Sequence, residues 1–344
     1  MTARLRTTMA ASVTAAALGA TLSALPAAAA VATDPPNVPA KSDVVGVGSD
    51  TTQDVMGLDS GDLATSGFAA NYNATDPKNE LWSWDATGSA TIKPSKKCDE
   101  ITRPNGSSAG ITALLADEAS GEECIDYARS SRVKNPTTDG DLVFVPFARD
   151  GVTWAAFPKK DGGNKFNAPG DLSTEQLQDI FECAVTNWDE VGGKDAPIEP
   201  FLPQSGSGTR SFWLTAIGVT TPGACVDQSV QENSGEAVPA ADRKNAIIPY
   251  SIAKYLAQSN GIGDDVRAGA DLRNINGTKP VKKDKLNADF SAAFLRDVFN
   301  VLKPADLDNN SVSKIFGTNG YVCDHTEITK AFGFGVLKGD DCGY

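Results

Sequence analysis

The chain has 344 residues, and its 31 lysines and arginines face 44 aspartates and glutamates, which gives a formal net charge of −13. A protein this acidic repels polyanions, so nucleic acids and anionic membrane surfaces are disfavoured as partners. No stretch after residue 30 approaches the roughly 20 consecutive apolar residues that a membrane-spanning helix needs, so no membrane insertion is expected.

Residues 1–30 are typical of a secretory signal peptide. Arg4 and Arg6 precede an alanine-rich apolar run, so we expect cleavage after Ala30 and a secreted, extracellular protein. No cysteine lies near this position, which predicts that there is no lipid anchor. Cleavage removes two arginines and no acid, so the net charge becomes −15 over 314 residues. This length exceeds what one core usually carries, which predicts two lobes.

The remaining sequence contains six cysteines, and an even number in an exported chain is typical of disulfides. Six cysteines allow 15 pairings. No two of them are close enough to form a zinc-binding knuckle, so no metal site is expected. We favour pairs of sequence neighbours, namely Cys98 with Cys124, Cys183 with Cys225, and Cys323 with Cys342.

The first elements follow a proline-rich lead-in at residues 31–42. Asp43 to Gly48 predicts a short buried strand, and Ser49 to Thr52 then opens a helix near Gln53–Leu58. This order of strand, small-residue corner and helix returns twice along the chain.

The second corner is the stretch from Arg103 to Gly110, rich in glycine and serine, which opens a helix whose apolar residues begin at Ile111. Residues 125–132 alternate like a strand. Two apolar strands are predicted at residues 142–147 and 152–157, with a crossover between lobes at Arg149-Asp150-Gly151.

Ser173 and Gln176 form a capping box that predicts a helix through Phe181. Residues 198–202 are predicted to be an edge strand, because Pro200 cannot donate to a ladder. The third corner, Gln204 to Arg210, follows directly.

A helix is expected after the third corner, with Ser207 as its N-cap and Gly218 as its stop. Its first turn presents backbone N–H groups without partners at the positive end of the helix dipole. Gly206 and Gly208 allow close approach of a ligand, and Ser207 and Thr209 add hydroxyls. This chemistry is suited to an anion, although an ordinary capped helix gives the same pattern.

The rest of the chain predicts a strand at 247–250, a helix capped by Ser251, a strand at 294–302 that returns to the first lobe, and a last helix from Ile328 to Val336. Strands alternate with helices, which favours an α/β fold with mainly parallel pairing.

The three glycine–serine corners, together with Thr186-Asn187-Trp188, resemble the phosphate-type extracellular solute-binding proteins of ABC transporters. The resemblance implies a two-lobed, periplasmic-binding-protein-like fold of type 2, with a hinge and an inter-lobe cleft that closes on an oxyanion. The lobes would then be residues 43–150 with 293–344, and residues 151–292.

The resemblance implies that each of the three corners contributes residues that bind the ligand. The site can exist only if the three corners face one shared cleft. Two positions depart from the family: Ser131 stands where an aspartate accepts the proton of phosphate, and Pro203 stands where an arginine pairs with the anion. Phosphate and sulfate-like anions therefore both stay open, and Arg129, Arg132 and Arg210 are alternative sources of the charge. The predicted ligand-binding residues are Ser49, Asp50, Thr51, Thr52, Ser107, Ser108, Arg129, Ser131, Ser207, Gly208, Thr209 and Arg210.

The expected protein is a monomer without a cofactor that captures phosphate or a similar oxyanion, for an ABC permease or as a scavenger. A secreted hydrolase is one alternative, but the flanking residues of Ser207 do not form a nucleophile elbow. The only histidine, His325, lies beside Cys323, which disfavours a catalytic triad. An adhesion or sensor module on the same fold is the other alternative.

Overall fold

Sixteen strands lie in the part of the chain that the structure, a computed structural model, describes, namely residues 34–158 and 166–344. The predicted signal peptide lies outside the described residues. The strands are β1 (Val44–Gly48), β2 (Leu81–Ser83), β3 (Thr91–Ile92), β4 (Ile101–Thr102), β5 (Tyr127–Ser130), β6 (Val143–Ala156), β7 (Asp171–Leu172), β8 (Glu199–Pro203), β9 (Asp227–Val230), β10 (Ala246–Ser251), β11 (Asp271–Leu272), β12 (Asn274–Ile275), β13 (Val281–Lys282), β14 (Lys285–Leu286), β15 (Leu295–Leu302) and β16 (Gly335–Val336).

Nine α-helices lie within the same described residues. They are α1 (Gln53–Gly57), α2 (Phe68–Asn73), α3 (Ser107–Ser120), α4 (Thr174–Phe181), α5 (Gly208–Ala216), α6 (Ile252–Ser259), α7 (Asn310–Phe316), α8 (Tyr321–Asp324) and α9 (Thr326–Ala331). None of the described helices has the length and the hydropathy needed to cross a membrane.

Ten strands share one mixed sheet, in the order β2-β1-β5-β15-β6-β10-β8-β9, with β11 and β16 also paired to β6. The α/β class is confirmed, but the prediction of mainly parallel pairing is wrong. Strand β15 lies between β5 and β6 and runs antiparallel to both. Strands β1, β8 and β10, each of which is followed by a helix, keep parallel neighbours, and β5 is parallel to β1.

Strand β6 is one continuous strand. The prediction of two separate strands on either side of Arg149–Gly151 is therefore wrong. These three residues pair with Leu295–Asp297 of β15, so the ladder has no gap there. Asp150 is fully buried within it. The two charged residues that suggested a break pair with residues of β15, Arg149 with Asp297 and Asp150 with Arg296.

Strand β8 is also not at the edge, because it lies between β10 and β9. Pro200 faces Ile247 of β10, and the ladder with β9 begins only at Phe201. Pro200 has no N–H to donate, and it precedes the first residue of β8 that pairs with β9, so no hydrogen bond of the β8–β9 ladder is lost.

The predicted helix caps agree with the structure. Ser173 forms the capping box with Gln176, and the hydroxyls of Ser207 and Ser251 accept bonds from Arg210 N and Lys254 N. The last helix is shorter than predicted, because α9 ends at Ala331 and Gly333 has a φ of +81°. The chain then pairs with β6 through Gly335 and Val336.

Two large hydrophobic clusters adjoin one another along β6. Val145, Phe147 and Ala148 pack in the first cluster, with residues of β1, α1, α2 and the C-terminal helices. Val152 and Trp154 pack in the second, with α4, α5 and the segment near Phe294. The change of cluster falls at the predicted boundary near residue 150, while the division into lobes stays a prediction.

Three disulfides link Cys98 to Cys124, Cys183 to Cys225, and Cys323 to Cys342, which is the favoured pairing. Each closes a loop of 19 to 42 residues. In the chain-entropy view, each such link stabilises the fold by roughly 3–4 kcal/mol.

Candidate functional site

The three glycine–serine corners are neighbours in space. Gly48 forms a bridge with Asn105, and Gly106 N donates to Gly48 O at 3.3 Å. Ser108 N donates to Gly206 O at 3.0 Å, which joins the second corner to the third. Backbone contacts therefore hold all three corners at one place.

The sheet explains why the first corner and the end of β5 meet. Strands β1 and β5 are parallel, with Gly48 opposite Arg129, so both strands end at the same edge of the sheet. In open α/β sheets, ligands bind beyond the carboxyl ends of the strands. At the next corner, Gly106 has a φ of +100°, and a Cβ there would lie 2.4 Å from Gly206 O. Only glycine allows this approach.

A chain of buried hydroxyls connects the first two corners to the end of β5. The Oγ of Ser49 lies 3.1 Å from the Oγ of Ser131, which lies 3.3 Å from the Oγ of Ser107. Ser131 N also donates to Ser107 Oγ at 3.0 Å. All three residues are fully buried.

The first turn of α5 brings the third corner to this hydroxyl chain. The hydroxyls of Thr51 and Thr209 lie 3.2 Å apart, and both residues are buried. Gly208 lies so close that a Cβ would be 2.3 Å from the Oγ of Ser107 and 2.4 Å from that of Ser131. We call these five hydroxyl residues, Ser49, Thr51, Ser107, Ser131 and Thr209, the hydroxyl cluster.

Arg296 on β15 supplies the cation beside the hydroxyl cluster, and the sequence analysis missed it as a site residue. Its guanidinium donates to Ser131 O at 2.8 Å and to Thr209 Oγ1 at 2.9 Å. The side chain is 1% exposed. No local pattern marks Arg296, because β15 also contains Asp297 and Asn300. Only the fold shows that its charge is fully buried and therefore needs a partner.

Asp150 is the partner that fixes Arg296. Its Oδ2 accepts from Nε and Nη2 of Arg296 at 3.1 and 2.9 Å. The same carboxylate accepts from Ser251 Oγ and from Ala253 N at the start of α6. The arginine is therefore held in one orientation by a carboxylate that is itself satisfied on several sides.

Arg129 lies under the first corner and supports it. Its Nε donates to Ser49 O at 3.1 Å, and its Nη1 donates to Ser83 Oγ at 2.5 Å. Its Nη2 is buried without a hydrogen-bond partner in the described residues. Burial lowers the pKa of the guanidinium, and the neighbouring acids and Tyr127 oppose that shift. The arginine stays charged, since no protein environment readily deprotonates it.

Carboxylates also border the hydroxyl cluster. Burial raises the pKa of Asp50 to about 6; Lys254 lowers it, and Glu232 and Asp54 add to the rise. Lys254 forms an ion pair with Asp54 at 2.6 Å. At lower pH, a protonated Asp50 removes one negative charge from this region, which favours an anion.

Glu232 and Asn233, just after β9, were missed because no local pattern marks them. The Oε1 of Glu232 accepts from Thr209 N at 3.0 Å and from Thr51 Oγ1 at 3.1 Å. The Nδ2 of Asn233 donates to Asp50 Oδ1 and to Thr51 Oγ1. A carboxylate thus already lies at the positive end of α5.

Some predicted residues have partners away from the hydroxyl cluster. The guanidinium of Arg210 donates to Pro203 O and to Gln228 Oε1. The Oγ of Ser108 accepts from Arg132, which pairs with Asp139 on the same side. The structure does not bring these groups to the centre.

Two further predicted residues lie close to the centre in the fold. Ser207 is buried, and its hydroxyl caps α5. Thr52 is buried, and its hydroxyl has no hydrogen-bond partner in the described residues. No group of His, Cys, Asp and Glu suited to a metal occurs in residues 34–158 and 166–344. The site thus combines hydroxyls and one paired arginine, which suit a tetrahedral oxyanion, with the bordering carboxylates of Asp50 and Glu232.

Comparisons with known proteins agree with this fold. The family profile described as PBP superfamily domain matches residues 6–292. The phosphate-binding protein PstS of Bacillus subtilis (strain 168) is 32% identical over 141 residues, which is 40% of this chain and 41% of that protein. The match thus spans less than half of that relative's length.

Two solved structures resemble the chain in fold. One is a phosphate ABC transporter substrate-binding protein from Clostridium perfringens with bound phosphate, at a TM-score of 0.60 and 18% identity, covering 86% of this chain and 100% of that one. The other is an ABC-type phosphate transport receptor from Vibrio cholerae, at a TM-score of 0.56 and 18% identity, with the same coverage of both chains. The predicted resemblance is confirmed, and the chain belongs to the PBP superfamily domain family.

Proposed function

We propose that the protein is an extracellular solute-binding protein that captures a small oxyanion, phosphate, at the hydroxyl cluster. The observation that carries the proposal is the position of Arg296, which bonds both Ser131 and Thr209. This buried cation bonds two of the four segments that carry the hydroxyl cluster. It supplies the positive charge that the family's arginine would have provided at the position of Pro203.

The donors suit a tetrahedral ligand because they converge from different elements. Hydroxyls come from the loop after β1, the end of β5 and the first turns of α3 and α5. Each hydroxyl can turn its hydrogen from its present neighbour to a ligand oxygen. The acidic chain as a whole repels anions, so affinity must come from these local groups.

The relatives support the choice of phosphate, since the names of the Bacillus subtilis protein and both structural neighbours refer to phosphate. Delivery to an ABC permease, action as a monomer and export through the signal peptide at 1–30 are parts of the same proposal. In a second form of this function, the protein binds the oxyanion outside the cell as a scavenger and delivers it to no permease.

Isothermal titration calorimetry of the purified protein with potassium phosphate tests the proposal. We expect saturable binding at one site, and stabilisation against heat that grows with phosphate concentration. Chloride at equal ionic strength is the control. The absence of phosphate binding by calorimetry and of any phosphate-dependent thermal shift would reject the function.

A further inference from the structure

A cavity of about 740 Å³ adjoins the hydroxyl cluster and has no role in the proposed function. Residues of α3, of the loop after β5 and of α5 line it, and we call it the side cavity. Small-molecule sites usually have volumes of roughly 300–1,000 Å³. The side cavity is therefore far larger than a single oxyanion needs, and it has the size of a site for an organic ligand.

Each wall of the side cavity continues from a residue of the hydroxyl cluster. Ser108 follows Ser107 at the start of α3, and Arg132 follows Ser131 after β5. The third wall is the part of α5 that comes after Thr209. The cavity thus meets the cluster through three separate elements of the fold.

The lining is rich in hydroxyl groups. Five of the lining residues carry one, namely Ser108, Thr112, Thr138, Ser211 and Thr215. Two of them on α3 and two on α5 are four positions apart, which places each pair on one face of its helix. Hydroxyls both donate and accept hydrogen bonds, as the hydroxyls of a polyol do. This lining favours a ligand that itself carries several hydroxyls.

The loop after β5 forms a fixed wall. Asp139 is 1% exposed. Its carboxylate accepts from both Nη atoms of Arg132 at 2.7 and 3.0 Å, from Asn135 N at 2.7 Å and from Thr138 Oγ1 at 2.9 Å. The Nε of Arg132 donates to Ser108 Oγ at 3.0 Å and ties the loop to α3. A wall that is ordered before the ligand arrives lowers the cost of binding.

Phe212 connects the side cavity to the cation of the site. Its ring lines the cavity, and the Cζ of Arg296 lies 5.4 Å from the centre of the same ring. A ligand oxygen that bonds Arg296 is therefore close to the side chain that borders the cavity. An organic group attached to the ligand has a short path past this ring.

We propose that the side cavity binds the organic part of a phosphate monoester of a polyol, while the phosphate group of that ester binds at the hydroxyl cluster. The inference rests on the proposed function and extends the ligand class from phosphate to small phosphate monoesters. A monoester keeps its unesterified oxygens for Arg296 and the cluster hydroxyls. Its ester oxygen carries the carbon chain into the side cavity.

An entrance filled with solvent is the ordinary role of a cavity beside a binding site, and it makes a different prediction. A site that only admits phosphate through this entrance must enclose the whole anion and would reject a monoester. The affinity for a monoester relative to that for phosphate is therefore the decisive readout.

The test uses calorimetry with potassium phosphate and with sodium glycerol 3-phosphate that phosphorus NMR shows to be free of inorganic phosphate. Wild type should bind glycerol 3-phosphate saturably, with an affinity within about 10-fold of that for phosphate. Thr112 is exposed on α3, and in Thr112→Trp the indole takes the space of the organic part. The affinity for glycerol 3-phosphate should then fall at least about 10-fold, while that for phosphate stays unchanged.

Ala119→Trp is the matched control. Ala119 is exposed two turns further along the same helix, outside the lining of the side cavity. This variant adds the same side chain to α3 and should bind both ligands as wild type does.

Two results overturn the inference and leave the proposed function standing. One is wild-type protein that binds phosphate and does not bind glycerol 3-phosphate, which decides the matter even if the variant does not fold. The other is a folded Thr112→Trp that binds glycerol 3-phosphate as tightly as wild type. A wild-type protein that binds neither ligand overturns the proposed function itself.

Discussion

The guanidinium of Arg296 donates to the hydroxyl of Thr209 at 2.9 Å, across 87 residues of sequence. This bond joins strand β15 to the first turn of α5. Arg296 also bonds Asp150 and Ser131. Substitutions at Arg296 and at Asp150 can therefore separate the contribution of Arg296 to anion binding from its contribution to stability.

Replacing Thr209 with valine should weaken phosphate binding about 10-fold, because one hydroxyl donor is lost while the shape is kept. The free energy of unfolding should fall by about 1–3 kcal/mol, because Arg296 and Thr51 lose a buried hydrogen-bond partner. Thr215→Val is the matched control, because Thr215 is exposed on the same helix and bonds only its own turn. Calorimetry measures both variants, and equal affinity in Thr209→Val and wild type would remove Thr209 from the site.

Arg296→Met should abolish measurable phosphate binding and should destabilise the protein by about 3–5 kcal/mol, because Asp150 is left buried without its cation. The double variant Arg296→Met/Asp150→Asn should recover part of the stability and none of the binding. Urea denaturation and calorimetry report the two quantities. Recovery of binding in the double variant would show that Arg296 serves only the fold. Arg149→Met removes a half-exposed arginine that pairs with Asp297, and it should leave phosphate binding intact.

Gly208→Ala should impair binding and stability together, since the added Cβ would lie 2.3 Å from Ser107 Oγ and 2.4 Å from Ser131 Oγ. Gly170→Ala is the control, because a Cβ there meets no atom within 4 Å and its φ is not positive. Both variants can be compared by thermal melting with and without phosphate. A Gly208→Ala protein that melts and binds like Gly170→Ala would contradict the close contact between these corners.

Stability should fall as pH rises from about 4 to about 7, because burial raises the pKa of Asp126 from 3.8 to about 7. In this window Asp126 keeps its proton in the folded protein and has lost it in the unfolded chain. Its contribution to the free energy of unfolding is therefore complete below the pKa of the unfolded chain, and it is lost as the pH rises through the pKa of the folded protein. Asp126→Asn should flatten the dependence by up to roughly 1.4 kcal/mol per pH unit.

The asparagine can still accept the bond that Asp126 receives from Val45 N. Chemical denaturation at several pH values checks the slope, and exposed Asp99→Asn is the control. A slope in Asp126→Asn equal to that of wild type would mean that Asp126 titrates alike in the folded and unfolded chains.

Sequence reasoning succeeded where the physical cause is local. Caps such as Ser173 and Ser207 act on backbone groups within three residues, so their patterns are visible in a single stretch. The corners at Gly48, Gly106 and Gly206 follow from the same short-range conformational needs. Their proximity depends on backbone contacts between distant segments, such as the bond from Ser108 N to Gly206 O.

The groups that complete the site depend on contacts that no single stretch encodes. Arg296 meets Asp150 through strand pairing across 146 residues, and Glu232 reaches Thr51 across 181 residues. The continuous strand β6 was missed for the same reason, because the polarity of Arg149–Gly151 is compensated by β15. Strand β15 carries Asp297 and Asn300 as well as Arg296, so its sequence alone does not mark Arg296 as the buried charge.

A crystal structure with bound arsenate tests the central claim most directly, since arsenate has the shape and protonation of phosphate and arsenic gives an anomalous signal. The account predicts one strong anomalous peak within hydrogen-bond reach of Arg296 and the hydroxyls of Thr209 and Ser107. Arsenic found only on the outer surface, with this cluster still bonded to itself at saturating arsenate, would contradict it.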